Sequence, residues 1–476
     1  MKGMAGYVRS VSGLLLGVVL AWAVACEALA QEGPGSGSKE TSEASGDGPE
    51  FEFNLGHYEP SYGIYDEILE LTEPGPESLR EALGTPAWLM YGVTQRTRYE
   101  SLQGRWRAGE QGSDQQLPLR TRLFFGIKDI WDPIRVSIEL QDSRSYLTDS
   151  GSYVTSSSVN ETDIQQLHVD LATKRILGWR QPSVFSVGRL NLDLGRRRWV
   201  ARNNFRNTTQ SFDGVHWRVG SEETWQVRAF VTKPVEIRET RPDPITSPNT
   251  LWGVYGESKL KARLSLEAYY FGHRSQNAYR DFEMFGVRLV DPGGEGHWDY
   301  EIESAYQFGD ISAEGRFEYF QHAELGYTFE AMWKPQMLLR FDYASGGLDP
   351  LYGARSFELT PTGIFQPFER SNIMSPGVRG MVQPRERLTI LAQYRAWWLA
   401  DASAPWVGSG LQDPTGSSGT FLGQTIELRL RWGVIANVFL QVGYVHVAWG
   451  SYLERVPGGR DLAASDYGYL QTEFMF

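Results

Sequence analysis

Cysteine is nearly missing: Cys26 is the only one in 476 residues. One thiol cannot build a disulfide framework or a cysteine metal site. The seven histidines are scattered, with no two at metal-ligand spacing. G-x-S-x-G, H-E-x-x-H and G-x-x-x-x-G-K-[ST] do not occur, so the common hydrolase, zinc-peptidase and phosphate-loop signatures are lacking. The chain is therefore not read as an enzyme, and no cofactor or metal is expected. Beyond the first thirty residues no apolar run approaches the ~20 residues of a membrane-spanning helix. Aromatic residues, by contrast, are plentiful, with 16 Trp, 23 Tyr and 23 Phe. A β-barrel in an outer membrane uses such rings to girdle both interfaces.

The N-terminus reads as an address. Lys2 and Arg9 precede an apolar core, "GLLLGVVLAWAVA" (residues 13–25), and "ALA" (28–30) is a small-x-small cleavage site. Residues 1–30 are thus a signal peptide with Gln31 as the first mature residue. A second reading makes "AVAC" a lipoprotein signal, with Cys26 lipidated. Of the formal net charge of −12, residues 31–86 hold −11 (13 acids, two bases) and the signal segment +1, which leaves 87–476 at −2. "QEGPGSGSKETSEASGDGPE" has almost nothing to bury, so 31–86 is read as an acidic disordered arm and linker. Within it "YDEILELT" and "ESLREALG" are short helix candidates.

From Ala87 the pattern has period two. Ile134, Val136, Ile138 and Leu140 alternate with Arg135, Ser137, Glu139 and Gln141. Leu123, Phe125 and Ile127 oppose Arg120, Arg122 and Lys128, and Leu167, Val169 and Leu171 oppose Gln166, His168 and Asp170. The runs approach the ~9–11 residues of a tilted membrane strand. Connections alternate between tight ("DIWDP") and long ("SRSYLTDSGSYVTSSSVNET"), the short-turn, long-loop habit of outer-membrane barrels. The chain ends "YLQTEFMF", where Phe474 and Phe476 share a face and read as an assembly signal for the barrel machinery. Residues 87–476 (390 residues) at roughly 21–22 per strand and connection give an all-β, transmembrane antiparallel β-barrel of about 18 strands, with 16 as the alternative. Barrels of this size leave an aqueous lumen.

One stretch stands out in this nearly balanced domain. "GRLNLDLGRRRWVARNNFRNTTQSFDGV" (188–215) carries Arg189, Arg196, Arg197, Arg198, Arg202 and Arg206, with only Asp193 among them and Asp213 next. Arginine at mid-membrane on the lipid face costs ~2–4 kcal/mol, so the cluster must face the lumen or lie in a loop folded into or above it. There it either attracts anions or braces the wall against acids; both are compatible. His168 and His216 fall on lumen faces, as do Glu301 and Glu303, read as plain wall. "YASGGLDPLYG" (343–353) reads as the start of a large extracellular loop.

The ordered motifs G-R, G-x-R-R, N-x-F-R-N-T and F-D-G-V in this stretch, with "GYTFEAMWKPQMLLRFDYASGGLDP" and "LGQTIELRLRW", resemble the alginate export family of outer-membrane barrels. The resemblance spans nearly all of 87–476. It implies a monomeric 18-stranded barrel in the outer membrane whose electropositive lumen passes an anionic polysaccharide. Arg189, Arg196, Arg197, Arg198, Arg202, Arg206 and Asp213 would be the lumen residues. Leu190 stands where the family usually has Gln. The expected partners are outer-membrane lipid, an anionic polysaccharide or small anionic solute, the barrel assembly machinery and periplasmic export proteins; nucleic acid is not among them. A general porin, a plugged structural barrel and an outer-membrane enzyme are the alternatives.

Overall fold

The computed structural model describes Gly84, Pro86 and residues 88–475, apart from 132, 175–180, 246, 262, 277–279, 312–313, 357 and 436. The signal peptide, the arm to residue 83 and Phe476 lie outside the described residues.

Every alternating run becomes a strand. In chain order these are β1 (Leu89–Gln103), β2 (Ser113–Trp131), β3 (Ile134–Tyr146), β4 (Asn160–Thr173), β5 (Ser183–Leu190), β6 (Phe212–Ser221), β7 (Trp225–Pro234), β8 (Asn249–Lys259) and β9 (Ser265–Ser275). The second half holds β10 (Arg280–Asp291), β11 (Trp298–Ile311), β12 (Glu314–Thr328), β13 (Gln336–Ala344), β14 (Ile373–Arg385), β15 (Leu388–Trp398), β16 (Phe421–Ile435), β17 (Val438–Trp449) and β18 (Ala464–Met475). Each pairs antiparallel with its sequence neighbours, and β1 also pairs with β18, from Thr94↔Met475 to Gln103↔Asp466. The ring therefore closes at 18 strands, and 16 is excluded. Closure leaves no edge, as a lipid environment requires. Among the described residues no helix is long and apolar enough to cross a membrane.

Burial is inverted relative to a water-soluble protein. Leu167, Val169 and Leu171 are 46–48% exposed, while Gln166 and Asp170, on the opposite face of the same strand, are 4% and 1% exposed. Period-two alternation has put the apolar row outward and the polar row inward. Connections after even-numbered strands are short, as at 132–133, 386–387 and 436–437, and those after odd-numbered strands include 191–211, 345–372 and 399–420. The start of β1 and the end of β18 lie with the short turns, which marks that end as periplasmic. Exposed rings gather at both rims: Trp88, Trp131, Trp298 and Phe329 at the turn end, and Tyr146, Phe308 and Phe317 at the loop end.

Two of the long loops, 345–372 and 191–211, do not stand up from the barrel. The stretch opening at Tyr343 is long as expected, but its loop, 345–372, turns into the lumen. There Leu359, Ile364, Phe365 and Phe368 are buried. Loop 191–211 joins it with buried Leu192, Leu194, Trp199 and Val200, and Trp199 meets Phe320 of β12 edge-on at 5.1 Å. Phe368 stacks on Trp397 at 3.8 Å, and Trp106 stacks on Trp406 at 4.7 Å. Each such side chain contributes about 1.5–3 kcal/mol on burial. That offsets the entropy of ordering loops of this length.

Candidate functional site

The arginine-rich segment lies within loop 191–211, between β5 and β6. Gly195 (φ 50) and Arg197 (φ 61) take left-handed conformations that turn the chain back on itself. Arg202 and Asp193 close the resulting knot: Asp193 accepts from the Arg202 backbone N–H and from its Nε, both at 2.9 Å. The knot abuts loop 345–372. Tyr352 N–H donates to the Trp199 carbonyl (2.9 Å) and Ala354 N–H to the Arg197 carbonyl (2.8 Å).

Arg198 occupies a cage of acids. Its Nε and Nη2 donate to Glu358 at 2.9 and 2.6 Å, and its Nη1 meets Glu301 and Glu303 of β11. Arg196 reaches Glu358 at 3.2 Å and Glu301 at 3.9 Å, and Arg370 also pairs with Glu358. Burial alone would lower the pKa of Arg198. The carboxylates of Glu301, Glu358 and Glu303 outweigh it and hold the guanidinium well above its usual value. Burial would likewise raise Glu358, but Arg198 and Arg370 hold it well below the carboxylate range. The triplet thus ties two loops to the wall.

The other candidates lie elsewhere. Arg189 and Asp213 pair with each other (2.8 Å), directly opposite in register on β5 and β6. They continue the row of Val187 and Val215 at the loop end of the wall, away from the cage, and Arg189 also donates to the Pro244 carbonyl at 3.3 Å. Leu190 is buried opposite Phe212. Arg206 differs from all of these: no carboxylate among the described residues pairs with its side chain. Burial, then the neighbouring charge of Arg355, lowers it to about 10.

A second set of arginines, on the wall, was less visible in sequence. Arg96 and Arg98 of β1 and Arg120 and Arg122 of β2 are all buried, and Arg96 stands directly opposite Arg120. Like charges so placed repel, so strong acceptors must satisfy them. Glu100 accepts from Arg98 at 3.0 Å, Glu139 lies 3.7 Å from Arg122 and Glu473 lies 3.5 Å from Arg120. Arg96 has no carboxylate partner among the described residues. The remaining acceptors come from the N-x-F-R-N-T motif: Arg96, Arg98 and Arg120 donate to the carbonyls of Asn204, Phe205 and Arg206. Asn207 anchors the motif by donating to the carbonyls of Leu119, Arg144 and Ser158 at 2.8–3.1 Å. The signal available in sequence was the tripeptide R-T-R, which occurs at 96–98 and again at 120–122.

Glu301, His322 and Glu324 come close enough to share a metal ion. Yet Arg198 and Arg288 hold Glu301, Arg340 holds Glu324 (2.6 Å) and Asp342 holds His322 (2.7 Å). So many guanidinium groups oppose a further cation, and the set fits an ion-pair lattice better than a metal centre.

An arginine-rich lumen in a closed 18-stranded barrel agrees with the sequence comparison, in which the alginate export profile matches residues 87–461. The chain belongs to the alginate export family. No curated protein sequence matches it. Its fold is similar to that of OccAB1 from Acinetobacter baumannii (11% identity, TM-score 0.59, 82% of this chain and 96% of that one). It is also similar to the outer membrane protein OpdK from Pseudomonas aeruginosa (10% identity, TM-score 0.58, 82% and 98%). This alginate export family member is an outer-membrane β-barrel channel protein.

Proposed function

We propose that the barrel is a passive channel for anionic solutes, with carboxylate-bearing polysaccharide of the alginate type as the characteristic cargo. The observation that carries this reading is the guanidinium surface of Arg96, Arg98, Arg120 and Arg122. It is met in part by neutral carbonyls rather than by acids, and Arg206, beside the ion pair of Arg355 and Glu369, adds to it. Such groups bind carboxylates bidentately and raise the local concentration of anions. In this reading Arg196, Arg197, Arg198 and Arg202 set the shape of the path, Arg206 faces the solute, and Arg189 with Asp213 secures the rim. The channel works as a monomer, and the assembly machinery reads the C-terminal sequence that carries Phe474 and Phe476.

The two loops crossing the lumen favour a second reading, a porin for small anions only. Reversal potentials in planar bilayers test both. The expected result is preference for Cl⁻ over K⁺, reduced by the pair Arg206→Glu and Arg355→Glu. A cation-selective wild type would overturn the anion reading. Permeation by chloride but not by an oligouronate would leave the small-anion porin.

A further inference from the structure

Three consecutive carbonyls of loop 191–211, those of Asn204, Phe205 and Arg206, point at one strip of wall. They accept five hydrogen bonds of 2.7–3.2 Å from Arg96, Arg98 and Arg120. The Asn204 side chain is a fourth acceptor, its Oδ1 taking a sixth hydrogen bond, of 3.1 Å, from Arg122 Nη1. The segment 203–206 is thus a short tongue presenting a row of oxygens to a row of guanidinium groups. A carboxylated sugar chain would present oxygens to the same groups.

Both ends of the tongue are fixed, while its middle is held by the wall. Arg202 is tied to Asp193 on one side. On the other side Asn207 is tied to three wall and loop carbonyls, and Ser143 Oγ donates to the Asn207 carbonyl at 2.8 Å. Between these anchors Asn203 is in the left-handed region (φ 56), a conformation asparagine tolerates and one able to serve as a pivot. Arg206 N–H closes the turn on the Asn203 carbonyl at 3.2 Å. Phe205 is wedged between Arg98, 3.9 Å above its ring, and Tyr469.

We propose that the 203–206 tongue is a built-in occupant of the anion path, displaced when a uronate carboxylate takes its place on Arg96, Arg98 and Arg120. The inference rests on the anion-channel reading above and adds its regulation. The exchange favours the solute on charge. Arg96 stands opposite Arg120 and pairs with no carboxylate among the described residues, and neutral carbonyls relieve that repulsion less than an anion does. The bonds from guanidinium to carbonyl are already charge-assisted, and a carboxylate adds direct charge–charge attraction and a bidentate fit to them. A neutral sugar offers no such gain and leaves the tongue in place.

Hydrogen exchange of the whole barrel in detergent tests this, with a hexameric oligouronate as probe and maltohexaose as its neutral counterpart. The oligouronate should speed exchange at 203–206 severalfold while the strands stay protected, and maltohexaose should not. Phe205→Ala should raise the chloride current severalfold in bilayers without any oligouronate, at unchanged heat-modifiable mobility. Oligouronate that permeates or blocks the current while exchange at 203–206 stays at its starting rate overturns the tongue and leaves the channel standing. Equal acceleration by maltohexaose overturns displacement by charge. If neither the wild type nor Phe205→Ala carries any chloride current, the channel reading falls and the tongue with it.

Discussion

Arg198 and Arg206 belong to one sequence cluster and have opposite surroundings. Arg198 sits among Glu301, Glu303 and Glu358, whereas Arg206 has no acid of its own. Replacing Arg198 by Gln would take the shared guanidinium from three buried carboxylates, leaving Glu301 to Arg288 and Glu358 to Arg196 and Arg370, and breaking buried pairs in this way costs up to about 3–5 kcal/mol. Faster proteolysis of loop 345–372 at unchanged strand content is the expected reading. Arg206→Gln should leave protease resistance unaltered and lower only the Cl⁻ preference. The sequence could place both arginines in the lumen but could not tell them apart, because the acids that decide lie 160 and 105 residues from Arg198. Asp243 offers a pH test. Burial, then the neighbouring charge of Asp163, raises it to about 6. The packing of Asp243 against Asn160 and Asp163, in the connection between β7 and β8, is therefore favoured while Asp243 is protonated, and that support is lost as pH rises through 6. Limited proteolysis of this loop should be slower near pH 5 than near pH 7.5; Asp243→Asn should abolish the difference, and an unchanged pH dependence in that variant would remove Asp243 from the account.

At the scale of elements, the strands were legible because lipid and lumen impose opposite polarities on alternate residues. Leu119, Leu123 and Phe125 against Arg120 and Arg122 is a pattern that a strand accommodates and a helix does not. The loops were legible only in length. Whether a loop stands out or folds in depends on surfaces contributed by distant strands. Loop 345–372 turns in because Trp397 receives Phe368 and because Arg198 receives Glu358. Asn207 is the clearest single anchor, with its Nδ2 shared by three carbonyls. Asn207→Ala should free loop 191–211 from β2 and β3, seen as faster hydrogen exchange across 203–209 with no change in β10 to β14. The last strand carries a different demand. Phe474 stands opposite Gln95 of β1 and Val438 of β17, at the seam that closes the ring. Removing residues 474–476 should lower the amount of folded, heat-modifiable barrel in the membrane. Normal levels of that truncated chain would deny the terminal rings any part in assembly.

Taken whole, the molecule places a lattice of paired charges inside an apolar cylinder, and distance decides which charges a solute senses. Paired groups such as Arg198 with Glu358 cancel beyond a few ångströms. Arg96 and Arg206, which pair with no carboxylate among the described residues, act at longer range. The Debye length falls from ~30 Å at 0.01 M salt to ~3 Å at 1 M. At the lower concentration the fields of these arginines overlap across the lumen, and at the higher one each is felt only on contact. The Cl⁻ over K⁺ permeability ratio should therefore fall steadily from 0.01 M to 1 M KCl. The variant carrying Arg206→Glu and Arg355→Glu should show a flatter curve at lower preference. A ratio independent of salt in the wild type would mean that selectivity comes from the width of the path between the two loops. In that case the arginines would serve the wall alone.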